Sequence, residues 1–111
     1  MYVVLLFADE KLRQLCNVER VAKRQLGEKN AQKLRSRLAD LDAATRVTDL
    51  MAGRPHPLKR DRLGQFALDL DAGCRLVFEP ANDPVPLRHD GSTDWSRVTS
   101  VRIVYIGDYH D

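Results

Sequence analysis

Hydrophobic residues change their spacing along the chain, and each spacing predicts a different element. Residues 2–7 form a short continuous apolar run, rich in β-branched and aromatic side chains. Such a run is typical of a strand buried on both faces, so we expect a central or parallel-paired strand here. Beyond it, apolar residues first recur at helical spacing and later alternate with polar residues, which indicates helices followed by strands.

The helical spacing covers two segments. In residues 18–26 the apolar stripe is preceded by Asn17, which is placed to cap a helix, and followed by Gly27, which can end it. A second stripe runs through residues 31–41. Together they predict an αα-hairpin with most of its basic side chains on the outer side. Residues 43–51 can add a short third helical turn.

The strand-like spacing begins after residues 52–57, whose Gly and Pro content predicts no regular structure. Residues 65–70 and 75–79 then alternate apolar and polar side chains around a turn at 71–73. This pattern predicts a hairpin with one apolar face. The segment at about 80–97 is rich in Pro and polar residues, which predicts an extended surface loop.

A last strand follows, in which we expect Val101, Ile103 and Tyr105 to face one way. The order predicts an α+β fold: an N-terminal strand, a helical hairpin, then antiparallel strands in a small twisted sheet. The helices should pack on one face of that sheet, because their apolar stripe needs an apolar sheet face to cover. At 111 residues, we expect residues 1–111 to form a single domain.

The composition suits a folded, soluble protein, with 43% hydrophobic and 31% charged residues. Cys16 and Cys74 are too few for a disulfide framework, and neither zinc-type spacing nor a carboxylate cluster suggests a metal. The first apolar run is too short to span a membrane and lacks the basic flank of a signal peptide. We therefore expect a cytoplasmic protein with no cofactor and no membrane partner.

Positive charge is concentrated locally, although the formal net charge is only +2. Between residues 54 and 62 only Asp61 opposes the basic side chains. These are Arg54, His56, Lys59, Arg60 and Arg62. Such clustering is a mild indication of an anionic partner such as a nucleic acid, and a solvated charged face is the commoner explanation.

A set of chemically capable residues joins this cluster to the hairpin and the chain end. If the second hairpin strand and the last strand are neighbours, Arg75 and Tyr109 can project from one surface. The full set is His56, Lys59, Arg62, Arg75, Asp108, Tyr109 and His110.

Cleavage of an RNA phosphodiester without a metal needs a base, an acid and cations that stabilise the phosphoryl oxygens. Arg62 and Arg75 suit the last task, because a guanidinium matches phosphate oxygens. Lys59 can hold charge or exchange a proton, Tyr109, His110 and His56 are candidates for proton transfer, and Asp108 can orient His110.

Simpler explanations stand beside these roles. A strand arginine such as Arg75 is more often part of a cross-strand ion pair. Residues at a chain end, such as His110, are more often frayed. For Tyr109, packing in the core is as good an explanation as catalysis.

Two stretches together resemble the HigB branch of the RelE/ParE toxin superfamily. The first is HPLKRDRLGQFALDLDAGCRLVFEP, at 56–80, and the second is the terminal VRIVYIGDYHD. They are similar to the pattern H-x-L-K-G-D-R-x-G-Q, a strand arginine and a final D-Y-H. Arg60, Ala67 and Cys74 depart from that pattern, in which Gly, Ser and an aromatic residue respectively are usual.

The resemblance implies the toxin of a type II toxin–antitoxin pair, a ribosome-dependent mRNA endonuclease that cuts in the A site. Attack by the 2′-hydroxyl would leave a 2′,3′-cyclic phosphate without a metal. By position, the functional residues of the family fall on His56, Lys59, Arg75, Asp108, Tyr109 and His110. Contacts to RNA fall, less firmly, on Arg62, Arg60, Arg54, Lys23 and Arg24.

The resemblance also implies partners and leaves alternatives. We expect a HigA-type antitoxin with a helix-turn-helix domain, and operator DNA bound only through that antitoxin. The alternatives are a non-nuclease toxin of the same fold that binds DNA gyrase, and an inactive module that only binds the antitoxin.

Overall fold

The computed structural model describes residues 3–108 and shows a five-stranded sheet with helices packed on one face. The strands are β1 (Val4–Phe7), β2 (His56–Pro57), β3 (Phe66–Asp69), β4 (Cys74–Pro80) and β5 (Ser100–Asp108). The helices are α1 (Glu10–Asn17), α2 (Glu19–Leu26) and α3 (Glu28–Ala43). The strand order is β1-β5-β4-β3-β2, with β1 and β5 parallel and the other neighbours antiparallel. The predicted α+β fold is confirmed.

Strand β1 is paired in parallel as predicted, but the prediction that it is buried on both faces is wrong. It lies at the edge of the sheet, beside β5 alone. Val4 and Leu6 are 54% and 42% exposed, whereas Leu5 and Phe7 pack against the core. The helices cover only one side of β1, so its apolar run is buried on that side alone.

The predicted helical hairpin corresponds to α2 and α3. They meet at Gly27, whose φ of +87° is in the left-handed region that glycine adopts readily. Helix α1 was not predicted, and Asn17 is its last residue and not a cap. Helix α1 begins at Asp9, whose carboxylate accepts a hydrogen bond of 2.8 Å from the Leu12 amide. Helix α2 starts at Val18, which has no side-chain cap.

The main core lies between the helices and the sheet. Its largest fully buried side chains come from α3, β3, β4 and β5: Leu34, Leu41, Leu68, Leu76, Phe78 and Ile103. The 43–51 segment contains a single 3-10 turn, Val47–Asp49. The prediction of no regular structure at 52–57 is wrong, because β2 extends the sheet beside β3.

A bulge in β5 changes which side of the sheet its last residues face. Val77 pairs with Tyr105 and Phe78 pairs with Ile103, so Val104 is an extra residue between the two pairs. Val101 and Ile103 face the same side, as predicted, and belong to the main core. Tyr105, which was predicted to share their side, instead lies with Val77 on the side away from the helices.

The segment between β4 and β5 packs against the main core near its C-terminal end. Trp95, in a 3-10 turn, lies 4.8 Å from Phe66 and 5.9 Å from Phe78 between ring centroids. Val98 is fully buried as well. The end of this predicted surface loop therefore contributes to the main core.

Across residues 3–108, no helix combines the length and apolar character needed to cross a membrane.

Candidate functional site

The side of the sheet away from the helices, called the open face here, carries two rows of cross-strand neighbours. Residues paired directly across strands share a face. The first row consists of His56, Ala67, Val77 and Tyr105. The second row consists of Asp69, Arg75 and Gly107. The two rows are two residues apart along each strand, which corresponds to about 7 Å.

Three residues of the first row belong to a small apolar cluster. Leu58, Ala67 and Val77 are buried together, and Val104 and Tyr105 pack against them. Leu58 reaches this place because the chain turns back after β2, where the Leu58 amide donates a 2.9 Å hydrogen bond to the Gln65 carbonyl. The hairpin therefore has apolar residues on both faces, and the prediction of one apolar face is wrong.

Asp69 joins two arginines at the second row. One carboxylate oxygen lies 2.8 Å from Arg54 Nε, and the other lies 3.2 Å from Arg75 Nε. The cross-strand ion pair considered for Arg75 is thus present. Because such partly exposed pairs add little stability, the main effect of Asp69 is to fix the positions of two guanidinium groups.

Arg62 lies over the ring of Tyr105, with its guanidinium carbon 4.7 Å from the ring centroid. Its Nη1 donates a 3.1 Å hydrogen bond to Gln65 Oε1. The Tyr105 hydroxyl donates to the Asp108 carbonyl at 3.0 Å. Gly107 makes room for this ring, since an added Cβ would lie 2.8 Å from the Tyr105 hydroxyl oxygen.

The basic turn, residues 59–64, follows β2 and presents its cations to solvent. Lys59 and Arg60 are exposed, and the Arg62 amide donates to the Lys59 carbonyl at 3.1 Å. Arg60 has a φ of +56°, in the left-handed region where glycine is favoured. This conformation gives a physical reason for the Gly in the toxin pattern at the same place.

His56 is oriented by the backbone. Its Nδ1 lies 2.7 Å from the carbonyl oxygen of Arg54. A carbonyl oxygen only accepts, so this hydrogen bond requires the proton of neutral His56 to be on Nδ1. Nε2 is then an acceptor, which is the form that a general base needs.

The structure brings some predicted site residues together and separates others. Arg54, His56, Arg62 and Arg75 belong to the open face or its edge, with Lys59 and Arg60 in the adjoining turn. Lys23 and Arg24 lie on α2, in the layer that covers the opposite side of the sheet, and Lys23 pairs with Glu19 at 3.3 Å.

The chain end enters the site only in part. Asp108 pairs with Cys74, a core residue, and its carboxylate oxygen would lie 3.4 Å from a Cβ added at Gly73. By register, therefore, Asp108 lies on the side of the sheet that the helices cover, away from Arg75. Tyr109 and His110 lie outside the described residues.

Cysteine is unsuited to act as a nucleophile here. Burial raises the pKa of the Cys16 thiol to about 12. Burial also raises the pKa of Cys74, and the Asp108 carboxylate adds to that rise. In residues 3–108 no three His, Cys, Asp or Glu side chains are grouped so that they could hold a metal ion.

Sequence reasoning missed Asp69 and Tyr105. Asp69 could have been found, because a turn at 71–73 places it opposite Arg75. Tyr105 could not, because the bulge at Val104 overrides the simple alternation that placed Tyr105 on the same side as Val101 and Ile103.

Comparisons with known proteins agree with this architecture. No protein-family model and no curated protein sequence matches the chain. Among solved structures, a YoeB/ParE toxin from Agrobacterium tumefaciens is similar, with a TM-score of 0.53 and 14% identity over 99% of this chain and 100% of that one. A YoeB dimer structure from Staphylococcus aureus gives a TM-score of 0.57 and 16% identity, with both chains fully covered.

This chain has the RelE/ParE-like fold. The fold expected from the toxin resemblance is therefore confirmed, and identities of 14% and 16% carry the likeness no further than the fold. In this chain the open face is the side on which β3, β4 and β5 are not covered by helices.

Proposed function

We propose that this chain is the toxin of a type II toxin–antitoxin pair, of the HigB branch, and acts as a ribosome-dependent mRNA endonuclease. The RelE/ParE-like fold and the two sequence stretches similar to HigB toxins support this assignment. The observation that carries it is the pair of fixed arginines on one uncovered face: Arg62 over Tyr105, and Arg75 on Asp69.

The proposed reaction is an in-line attack within one nucleotide. A base removes the proton of the 2′-hydroxyl, the 2′-oxygen bonds to phosphorus, and the bond to the 5′-oxygen breaks as that oxygen takes a proton. The products are a 2′,3′-cyclic phosphate and a 5′-hydroxyl end, and no metal enters the scheme.

The residues divide these tasks. Arg75, Arg62 and Lys59 would hold the phosphoryl oxygens, where negative charge grows in the transition state. Proton transfer would fall to His56, whose Nε2 is an acceptor, and to Tyr109 and His110. Asp108 has no task in this scheme, because by register it lies on the side of the sheet away from Arg75.

Arg54 and Arg60 add positive charge beside the phosphate position, at the two sides of β2. Lys23 and Arg24 lie on the helical layer, so they would contact ribosomal RNA and not the codon being cut.

A direct test is induced expression in a bacterial host, with mapping of new 5′ ends on host mRNA. Wild type should arrest growth and cut within translated codons in the A site. Arg75→Ala should lower cleavage by about 10²–10³-fold, the usual cost of losing a group that stabilises the transition state. Tyr109→Phe should also weaken cleavage. The matched control is Arg35→Ala, since Arg35 is likewise paired with a carboxylate, Glu19 at 2.9 Å, but lies on the helical layer.

Three results would contradict the proposal. Growth arrest without cleavage in codons would favour a non-nuclease target such as DNA gyrase. Undiminished toxicity of both Arg75→Ala and Tyr109→Phe would remove the catalytic site. A chain that arrests no growth yet binds its antitoxin would be the inactive module.

The proposed partners follow from the same assignment. They are the ribosome with its mRNA and a HigA-type helix-turn-helix antitoxin, all in the cytoplasm. Operator DNA would be bound through the antitoxin. Binding of the operator by the complex, and no binding by this chain alone, is the expected result of a gel-shift experiment.

A further inference from the structure

A half-enclosed groove of about 410 Å³ adjoins the basic turn at Leu63 and lies outside the two rows of the open face. Pro57 and Leu63 line one side of it. Arg88, Thr93 and Trp95, from the segment between β4 and β5, line the other side. A volume of this size falls in the range of small-molecule pockets.

The wall formed by the 87–95 segment is held in place by its own hydrogen bonds. Leu87 and Thr93 form a bridge, and the Arg88 amide donates to the Ser92 carbonyl at 2.7 Å. Trp95 is held from behind by Phe66, at 4.8 Å between ring centroids. The groove is therefore a shaped part of the fold, with its apolar base anchored in the main core.

The groove lining combines apolar, aromatic, basic and polar side chains. Leu63 is 78% exposed and Trp95 is only partly buried, so an apolar and an aromatic side chain are available in one groove. Arg88 supplies a cation, while Asp90 and Ser92 supply polar atoms at the same groove. A base that stacks on an aromatic ring and a phosphate that pairs with arginine need this combination.

The groove and the candidate site meet at β2 and at the basic turn, where neighbouring residues belong to one or the other. Pro57 follows His56 on β2, and Leu63 follows Arg62. By the register of β2 and β3, Pro57 pairs with Phe66 and His56 pairs with Ala67, so the two residues face opposite sides of the sheet edge. A strand of RNA that crosses this edge would place neighbouring nucleotides on the two sides.

We infer that this groove binds the nucleotide next to the cleaved phosphate, with its base against Trp95 and Leu63 and its phosphate at Arg88. The inference rests on the proposed action on RNA. It adds a second RNA contact that the fold alone does not imply, built by the segment between β4 and β5.

The chain itself provides the probe, because Trp95 is its only tryptophan. The purified full chain is titrated with short RNA oligonucleotides that carry 2′-O-methyl groups throughout and so cannot be cleaved. Saturable quenching of tryptophan fluorescence is expected. Arg88→Glu and Leu63→Asp should each weaken the binding by about tenfold, as expected on losing one phosphate contact or one stacking surface.

Two control variants match these changes outside the groove. Arg20→Glu makes the same charge change on the exposed side of α2, and Val85→Asp makes a similar polar change in the same segment as Arg88. Both should bind RNA within about twofold of wild type, apart from the weak effect of one distant charge. Thermal unfolding of all four variants checks that they fold.

The outcomes separate this inference from the proposed function. Absence of quenching, equal binding by groove and control variants, or quenching by the antitoxin but not by RNA would overturn the inference, even if the wild type cuts mRNA. Quenching that the groove variants lose supports it, even if no cleavage occurs in cells, in which case the proposed function alone fails. Where cleavage is seen, Leu63→Asp should also lower it, because less RNA is bound at a given concentration.

Discussion

The two faces of the sheet differ in composition and in regularity. The face under the helices is a regular alternation of large apolar side chains, with Leu68, Leu76 and Phe78 fully buried. The open face has a smaller apolar cluster, and above it lie charged and aromatic groups. Its shape depends on irregular features, which are the bulge at Val104 and the left-handed residue Arg60.

This difference indicates a division of labour between the faces. Burial of large side chains provides most of the stability of a domain. A site for a charged ligand must instead keep cations accessible and fixed, which costs burial. On the open face Asp69 and Tyr105 do the fixing, because each holds an arginine in one place.

The sharpest test of this division uses two adjacent residues of β4. Phe78 and Val77 are both fully buried, but Phe78 faces the helices and Val77 faces the open side. Phe78→Ala should lower the free energy of unfolding by about 3–5 kcal/mol, since it removes a ring that stacks on Phe66 and meets Trp95 edge to face. Val77→Ala should cost about 2 kcal/mol, for two methyl groups.

Urea unfolding of both variants measures the difference. Equal losses would mean that the open-face cluster stabilises the fold as much as the main core does, and the proposed division would be wrong.

The next effect concerns the room that Gly107 leaves on the open face. In Gly107→Ala the new Cβ would meet the Tyr105 hydroxyl oxygen at 2.8 Å and its ring carbon Cζ at 3.0 Å. Overpacking of this kind costs about 1–3 kcal/mol, and the displaced ring would no longer hold Arg62. Because Tyr105→Phe removes the nearest atom, Gly107→Ala should cost less in that background. A double-mutant cycle of unfolding free energies checks this coupling, and simple additivity would contradict it.

How far the sequence predicted each face follows from the same contrast. Phe66, Leu68 and Leu76 alternate with polar or small residues, and the pleat of a strand turns alternation directly into sides. Helix α1 was within reach too, since Asp9 precedes Leu12 and Leu15 at helical spacing, but its many charged residues hid this stripe.

The open face was harder to predict because it depends on exceptions to periodicity. A single bulge residue, Val104, moves Tyr105 away from the side of Val101 and Ile103, which it was predicted to share, to the side of Arg75. The turn back after β2, which buries Leu58, begins at residues that were predicted to have no regular structure. Charge clustering at 54–62 could still be read from the sequence, because cations that serve one surface need not follow any period.

A smaller effect is expected for the contact between Arg62 and Tyr105. A partly exposed cation–π pair contributes about 0.5–1 kcal/mol. Arg62→Ala, Tyr105→Leu and the double variant should show a coupling energy of this size in urea unfolding. Arg62→Gln is the control for the hydrogen bond to Gln65, because it keeps a donor and loses the cation. A coupling energy near zero would mean that Tyr105 does not fix Arg62.

The smallest effects are expected at two exposed residues in the left-handed region, Ala72 with a φ of +49° and Arg60 with a φ of +56°. This conformation costs an L-residue roughly 1–2 kcal/mol, and glycine gives back about 0.5–1 kcal/mol in backbone entropy. Ala72→Gly and Arg60→Gly should therefore each raise the free energy of unfolding by about 0.5 kcal/mol. Ala39→Gly, within α3, makes the same chemical change as Ala72→Gly and should lower stability by about 1 kcal/mol.

The two left-handed residues should differ in function. Ala72 joins β3 to β4 and has no charge, so Ala72→Gly should leave RNA binding unchanged. Arg60→Gly removes a cation from the basic turn, and its RNA affinity should fall and depend less steeply on salt. If Arg60→Gly instead gained stability at no cost in RNA binding, the left-handed arginine would have no role in binding. The positive charge of the turn would then rest on Lys59 and Arg62 alone.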